Sequence, residues 1–279
     1  MILFIQNKVN FHYEIIESII LNYNKIINIQ NTYDTISIFL SVLETNISYM
    51  KYIKRKYPNI YLTIPSDFDF YISCTIYDKD YDDLKKNSNK YFYISHIITD
   101  RLQKLKNVCF LTPLANNYII ADILPYTKKK KKSNIPIYII QGNMNSSRRY
   151  YILLKKILDD NFEYEYDFRI KLVGRGKLPE NLEKYSHKII IRNNLNFIDY
   201  HKEFLDVYCI LPLITKKTHP QYYNNKLTSS INYCIGYNLK CIIDKDLQEI
   251  YNLNNVEVFN DENDIVHSFR KTLIDFYKY

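Results

Sequence analysis

The sequence predicts an α/β protein made of two lobes, each an open, mostly parallel sheet with helices on its faces. Three observations carry that expectation. Short apolar runs rich in Ile, Val, Tyr and Phe alternate with helical patterns along most of the 279 residues, as parallel sheets with crossover helices require. An uninterrupted basic tract, Lys128–Lys132, followed by Ser133, Asn134 and Pro136, breaks the alternation near the middle. All four glycines, Gly142, Gly174, Gly176 and Gly236, come after that tract. The expected division is a first lobe over 1–126, a linker over 127–134 and a second lobe over 135–279.

In the first lobe Met1 to Ile5 reads as a strand. Tyr13 to Tyr23 reads as a helix with Ile15, Ile16, Ile19 and Ile20 on one stripe. Further strands are expected at Lys25–Ile29, Ile36–Leu40, Asn59–Ile64, Phe70–Tyr77, Tyr91–Ser95 and Val108–Leu111, with helices at Tyr49–Lys56 and Thr99–Lys106.

The second lobe alternates more cleanly. Strands are expected at Ile135–Ile140, Arg169–Val173, Lys188–Arg192, Val207–Leu211 and Lys240–Ile243. Helices are expected at Arg149–Leu158, Pro179–Ser186, Asn196–Phe204 and Lys226–Ile235. Ile265, Val266, Phe269, Leu273 and Phe276 repeat at helical spacing behind Asn260 and Asp261, so a capped amphipathic helix closes the chain over 261–277.

Composition narrows the class. A hydrophobic fraction of 47% and a charged fraction of 24% fit a packed globular protein and exclude wholesale disorder. Cys74, Cys109, Cys209, Cys234 and Cys241 are scattered and form no C-x-x-C pair, as expected of buried thiols in a reducing compartment. The apolar run at Met1 to Ile5 ends at Gln6 and Asn7, too soon for a signal peptide or a membrane span. A cytoplasmic protein is the expectation. The excess of Asn, Lys, Ile and Tyr fits an AT-rich genome such as that of a giant virus. Net charge is +8, which favours polyanions in general, but the lysine tract reads first as a solvated linker, and no nucleic-acid partner is expected.

The residues suited to chemistry cluster at strand ends. In IPIYIIQGNMNSSRRYYILLKKIL, residues 135–158, a strand ends at Gly142, passes through Asn143 to Ser147 and enters a helical pattern with Arg148 and Arg149. A tight glycine turn, free helical amides and two guanidinium groups suit a phosphate; an ordinary strand-to-helix turn with solvated arginines has the same pattern. VGRGK at 173–177 is a second glycine turn. It lacks the third glycine of a dinucleotide fingerprint, and Pro179 follows, so a nicotinamide site is discounted. Lys226, Thr228, Ser229 and Ser230 open an expected helix and suit a pyrophosphate, or simple capping.

In their order, IYIIQGNMNSSRR, FRIKLVGRGKLPE, VYCILPLI, KLTSSINYCIGYNLKCIID and the closing helix resemble the nucleotide-sugar-binding domain of glycosyltransferases of the GT-B fold. The resemblance covers roughly 135–273 and implies two Rossmann-like lobes. It implies that Gly142, with its neighbour Asn143, and Arg148 hold the donor pyrophosphate, that Gly174 and Arg175 line the base, a purely structural turn being the other reading of those two, and that Lys226, Ser229 and Ser230 approach from the other side. Arg148 is placed ahead of Arg149, because consecutive helical positions cannot both face the donor. The well-known retaining families carry paired glutamates where this chain has Tyr222, Tyr223 and Ser230 or Ile231.

In the first lobe His96 follows the strand YFYIS and suits a base that takes a proton from an acceptor hydroxyl in an interlobe cleft; a structural histidine is the other reading. Asp100, Asp67, Asp69 and His12 are alternatives. Asp67-Phe68-Asp69 also has the D-x-D form that holds a divalent ion in another transferase fold, although acids are dense in this stretch. The expectation is a metal-independent transferase without cofactor, acting on a nucleotide sugar and a carbohydrate or glycoconjugate acceptor. A nucleotide-sugar epimerase of similar fold and a non-catalytic basic binding module are the rivals.

Overall fold

The computed structural model describes residues 1–7, 13–27, 35–42, 47–86, 89–119, 133–161 and 164–278. His12 and most of the expected linker, 127–132, lie outside them. The chain divides into two units, Met1–Leu124 with Asn225–Leu227, and Pro125–Asn224 with Thr228–Tyr279.

The first unit contains β1 (Ile2–Asn7), α1 (Tyr13–Ile27), β2 (Ser37–Val42), α2 (Ile47–Lys56), β3 (Phe70–Ser73), α3 (Tyr81–Lys86), β4 (Tyr91–Ser95) and β5 (Val108–Phe110). Its strands are parallel in the order β2-β1-β3-β4-β5, one of the two common doubly wound orders. Leu3, Phe4 and Ile5 are all buried, as a central parallel strand covered on both faces requires. A buried carboxylate ties the first two helices together. Glu17 on α1 accepts from the Tyr52 hydroxyl at 2.9 Å and the Tyr57 hydroxyl at 3.2 Å, and pairs with Lys56 at 2.5 Å.

Three expectations change here. Of the strand expected at Lys25–Ile29, residues 28–29 lie outside the described residues and Lys25–Ile27 is helical, the end of α1 beyond a kink at Asn22 (φ −122°, ψ 15°), with Ile26 and Ile27 buried as Ile15, Ile16 and Ile19 are. Asn59–Ile64, bracketed by Pro58 and Pro65, makes only one bridge, Tyr61 to Phe39 at the edge of β2. The helix expected at Thr99–Lys106 shrinks to a 3-10 turn, Leu102–Lys104, with only Leu102 buried.

The second unit contains β6 (Ile137–Asn143), α4 (Tyr151–Asp160), β7 (Arg169–Arg175), a 3-10 segment (Glu180–Lys188) in place of the expected α-helix, β8 (Ile189–Asn193), α5 (Phe197–Lys202) and β9 (Cys209–Ile210). There follow α6 (Gln221–Asn224), α7 (Ser229–Tyr237), β10 (Lys240–Asp244), α8 (Lys245–Tyr251), β11 (Val256–Phe259) and α9 (Asp264–Lys278). The sheet order β11-β10-β9-β6-β7-β8 is parallel throughout. Counted within the unit this is 6-5-4-1-2-3, the Rossmann order. Tyr138 anchors the core: its ring lies 4.3 Å from that of Phe269 on α9, and its hydroxyl bonds Thr272 at 2.8 Å. The closing helix starts where Asp261 Oδ1 accepts from the amides of Asn263 and Asp264 at 2.7 and 3.0 Å.

Two boundaries differ where function was expected. Arg148 and Arg149 precede α4, since their amides bond the Asn145 carbonyl in a separate turn. Lys226 does not open α7 but bridges to Ile97. Short α8 and β11, not foreseen, form because Asp244 caps the amides of Asp246 and Leu247 and because Val256–Phe259 extends the sheet beside β10.

Gly142 and Gly174 stand opposite each other on β6 and β7 with φ of +105° and +155°. A Cβ on Gly174 would lie 1.8 Å from the Gly142 carbonyl oxygen, so the two backbones approach as only glycine permits. Gly174→Ala is expected to cost about 3 kcal/mol through overpacking and strain, read as a clear fall in the urea midpoint. An unchanged midpoint would contradict this geometry.

Candidate functional site

In the second unit the strand order reverses between β6 and β9. The helices that follow these two strands leave on opposite faces, which opens a crevice at the carboxyl ends where open α/β sheets bind ligands. The end of β6, the turn 144–150, the segment after β9 and the start of α7 contribute residues to this region.

At its centre is Arg149, only 4% exposed. The turn at Asn145 and a bond from the Tyr150 amide to the Leu213 carbonyl, 2.7 Å, direct it inward. Its Nη2 donates to the Gln141 carbonyl at 2.5 Å and to Ser230 Oγ at 3.4 Å, and its Nη1 donates to the Arg148 carbonyl at 2.7 Å. Its Nε is buried with no partner. Among the described residues no carboxylate pairs with it. Removing a guanidinium from water costs several kcal/mol even after relaxation, and neutral oxygens satisfy its protons without supplying a countercharge. Burial lowers its pKa; the phenols of Tyr222, Tyr151 and Tyr200 oppose that shift and Arg148 adds to it. Arginine nonetheless stays charged in proteins, so the crevice holds a fixed, unbalanced positive charge.

Gln141, 3% exposed, organises the surroundings. Its Nε2 donates to Ser229 Oγ at 2.9 Å and Ser230 Oγ at 3.1 Å, and its Oε1 accepts from the Tyr200 hydroxyl at 2.9 Å. The first turn of α7 is thereby fixed to the end of β6. Thr228, the residue before α7, makes no side-chain cap, and its hydroxyl is buried without a partner. Orphan amides at such a start favour an anion. Leu213, just past β9, has φ of +51° while 2% exposed, a strained conformation for a branched side chain.

His219 is 2% exposed, with Nδ1 2.8 Å from Thr218 Oγ1. Burial, then the charges of Arg149 and Arg148, hold its pKa below the ordinary histidine value.

The residues expected from sequence are distributed unevenly. Gly142 and Asn143 are the last two residues of β6, and Asn143 Oδ1 accepts from the Asn145 amide at 3.0 Å. Gly174 and Arg175 end β7 beside them, with Arg175 exposed and its carbonyl bonded to the Met144 amide at 2.8 Å. Ser229 and Ser230 meet Gln141. Arg148 is exposed, whereas Arg149 is the buried arginine. Tyr222 and Tyr223 are both buried, and the Tyr223 hydroxyl meets the Asp244 carboxylate.

In the first unit, Lys226 pairs with Ile97 as its neighbours bond around it, Ile98 N to the Asn225 carbonyl and Leu227 N to the His96 carbonyl. His96 follows β4, half-buried, with its ring edge-on to Tyr77 at 5.8 Å. Tyr77 also lines a cavity of ≈ 480 Å³ with Asp78, Lys79, Ile97, Thr99 and Leu102. Asp100 is exposed on the next turn. Asp67 and Asp69 lie at the amino end of β3, away from the ligand-binding edge. Asp67 accepts from Lys90 at 3.0 Å and Asp69 from the Ile2 amide at 2.6 Å. Among the described residues no group of three or more His, Cys, Asp or Glu side chains is placed to hold a metal.

Sequence reasoning missed Gln141, Tyr200, His219 and the strained Leu213. Only Gln141 carried a signal, a polar residue ending an apolar strand directly before glycine.

The sequence matches no protein-family model, and no curated protein matches it. Solved structures are similar along nearly the whole chain. A glycosyltransferase from Rickettsia africae ESF-5 shares 13% identity at a TM-score of 0.52, over 99% of this chain and 90% of that one. AviGT4, a glycosyltransferase involved in avilamycin A biosynthesis, shares 7% at 0.55, over 99% and 93%. The UDP-GlcNAc 2-epimerase from Neisseria meningitidis, bound to UDP-GlcNAc, shares 10% at 0.51, over 100% and 93%. At these identities the likeness is one of fold: two Rossmann-like α/β units with a C-terminal helix, the GT-B architecture.

The His219 shift has a consequence for stability. The unfolded imidazole, near 6.5, takes up its proton before the folded one as pH falls. Stability is therefore fully present above pH 6.5, declines as pH drops through that value and levels off once the folded group is also protonated. His219→Gln should lessen the loss of Tm between pH 7.5 and 5.5 by about 2 °C; the same loss in both proteins would contradict a depressed His219.

Proposed function

We propose that the second unit binds the diphosphate of a nucleotide sugar around Arg149 and the start of α7, and that the protein is a metal-independent glycosyltransferase. The observation that carries this reading is the buried Arg149 guanidinium, uncompensated by any described carboxylate, at the topological switch point of a Rossmann sheet. A diphosphate supplies the missing charge. The fold shared with glycosyltransferases, and with an epimerase bound to UDP-GlcNAc, supports the choice of a nucleotide sugar.

In this reading Gly142 lets a phosphate approach the backbone, with Asn143 beside it. The Arg149 guanidinium and the α7 amides neutralise the diphosphate from within, and exposed Arg148 closes on it from outside. Ser229 and Ser230 contribute hydroxyls, and Gly174 and Arg175 line the base. As the anomeric C–O bond to the diphosphate breaks, charge builds on the leaving oxygen and is met by these preset groups. The acceptor oxygen bonds the anomeric carbon and gives its proton to a base, the role proposed for His96, with Asp100 as the alternative. No divalent ion is needed where guanidinium and amide groups carry the charge.

Calorimetry with UDP tests the donor site. Charge-assisted bonds contribute about 1.5–3 kcal/mol each, so Arg149→Met should weaken binding about 100-fold and Arg148→Ala about tenfold. Unchanged affinity in either variant would remove that residue from the site. His96→Ala should abolish transfer and leave UDP affinity intact, and EDTA should leave transfer intact. Because the epimerase resembles this chain as closely as the transferases do, UDP-GlcNAc should also be incubated without acceptor. Conversion of the sugar under those conditions would establish epimerisation instead.

A further inference from the structure

Large apolar side chains that face water are few among the described residues, and three of them fall in one short stretch of the first unit: Ile47 at 62%, Tyr61 at 51% and Ile64 at 69% exposure. The same stretch carries Lys51, Lys54, Arg55 and Lys56, and the sequence from Thr45 to Ser66 contains no acid. Tyr49, Tyr52 and Ile53 are the buried face of α2. Ile47, Lys51, Lys54 and Arg55 are spaced i, i+4, i+7 and i+8 on the opposite, exposed face. Lys56 turns to Glu17 and contributes no charge to this face.

The end of α2 and the segment after it form one surface. Lys54 Nζ donates to the carbonyls of Pro58 and Ile60, both at 2.6 Å, which fixes the ammonium there, and among the described residues no acid pairs with it. The Tyr61 amide donates to the Ile38 carbonyl and the Leu40 amide to the Tyr61 carbonyl, so Tyr61 is held against the edge of β2. Its ring stacks on Phe39 at 4.8 Å and 19°.

We infer that this surface docks the protein on an anionic lipid bilayer. Exposed isoleucines among cations, in a stretch of sequence without acids, match an interface where apolar groups enter the acyl boundary and cations meet acidic headgroups. A single-stranded nucleic acid would draw instead on open aromatic faces for its bases. Here Tyr61 already has Phe39 on one face, and the most exposed apolar groups are isoleucines. Among the described residues no helix is long and apolar enough to cross a membrane, so this attachment is peripheral.

The test is sedimentation of the full chain with vesicles of phosphatidylcholine alone or with phosphatidylserine added. The protein should pellet with the mixed vesicles, more weakly at higher salt, and not with phosphatidylcholine alone. Loss of one cation should weaken binding roughly fivefold. Ile64→Asp combined with Lys51→Glu should abolish pelleting, and with both positions exposed the thermal midpoint and UDP affinity should stay at wild-type values. Equal pelleting with both vesicle types, pelleting of the double variant at the wild-type level, or loss of RNA binding in that variant with no vesicle binding by the wild type would overturn the inference.

Discussion

The second unit depends on a charge held out of water. Arg149 lies at the end of β6 with neutral oxygens around its guanidinium and no carboxylate beside it. An isolated buried charge is among the most costly features a fold can carry, and the surroundings are built to hold it. The Asn145 turn directs the side chain inward, the Gln141 carbonyl and Ser230 hydroxyl take its protons, and Leu213 adopts a strained conformation while its carbonyl fixes Tyr150. Strain and unbalanced charge gathered at one strand end distinguish a site from a structural ion pair. Lys171 on the neighbouring strand shows the contrast: it is also buried, but Glu203 and Asp206 neutralise it at 3.1 and 2.6 Å.

The backbone makes room for this arrangement. Gly142 and Gly174 lie side by side on adjacent parallel strands, and the missing side chains let the Gly142 carbonyl press against Gly174 and the guanidinium against Gly142, where a Cβ would meet Arg149 Nη2 at 3.2 Å. Gln141 then joins the first turn of α7 to β6 through both serine hydroxyls. Charge, helix amides and open backbone therefore meet through a few hydrogen bonds rather than through a large apolar surface, as suits a site that must admit a polar ligand.

Much of the fold was legible in the sequence because strands buried on both faces leave continuous apolar runs, and β1, β4, β6 and β10 each contain such a run. The element boundaries were less so. Lys25–Ile27 is rich in isoleucine and reads as strand, yet it is a helical turn beyond the kink at Asn22, with Ile26 and Ile27 buried. The site was legible as glycines at strand ends followed by arginines and serines. Which arginine faces inward was not, because that choice rests on the 145–149 turn and on the Tyr150 bond to Leu213, a contact across more than sixty residues of sequence. Gln141 and His219 act through partners on α5, α7 and their own loops, and no local pattern announces them.

The most direct test of the central claim is a crystal structure of the protein with UDP. The diphosphate should lie against Gly142 and the first amides of α7, with a phosphate oxygen within hydrogen-bond distance of the buried, unpartnered Arg149 Nε. A diphosphate bound elsewhere, with Arg149 Nε still unpartnered, would contradict the account.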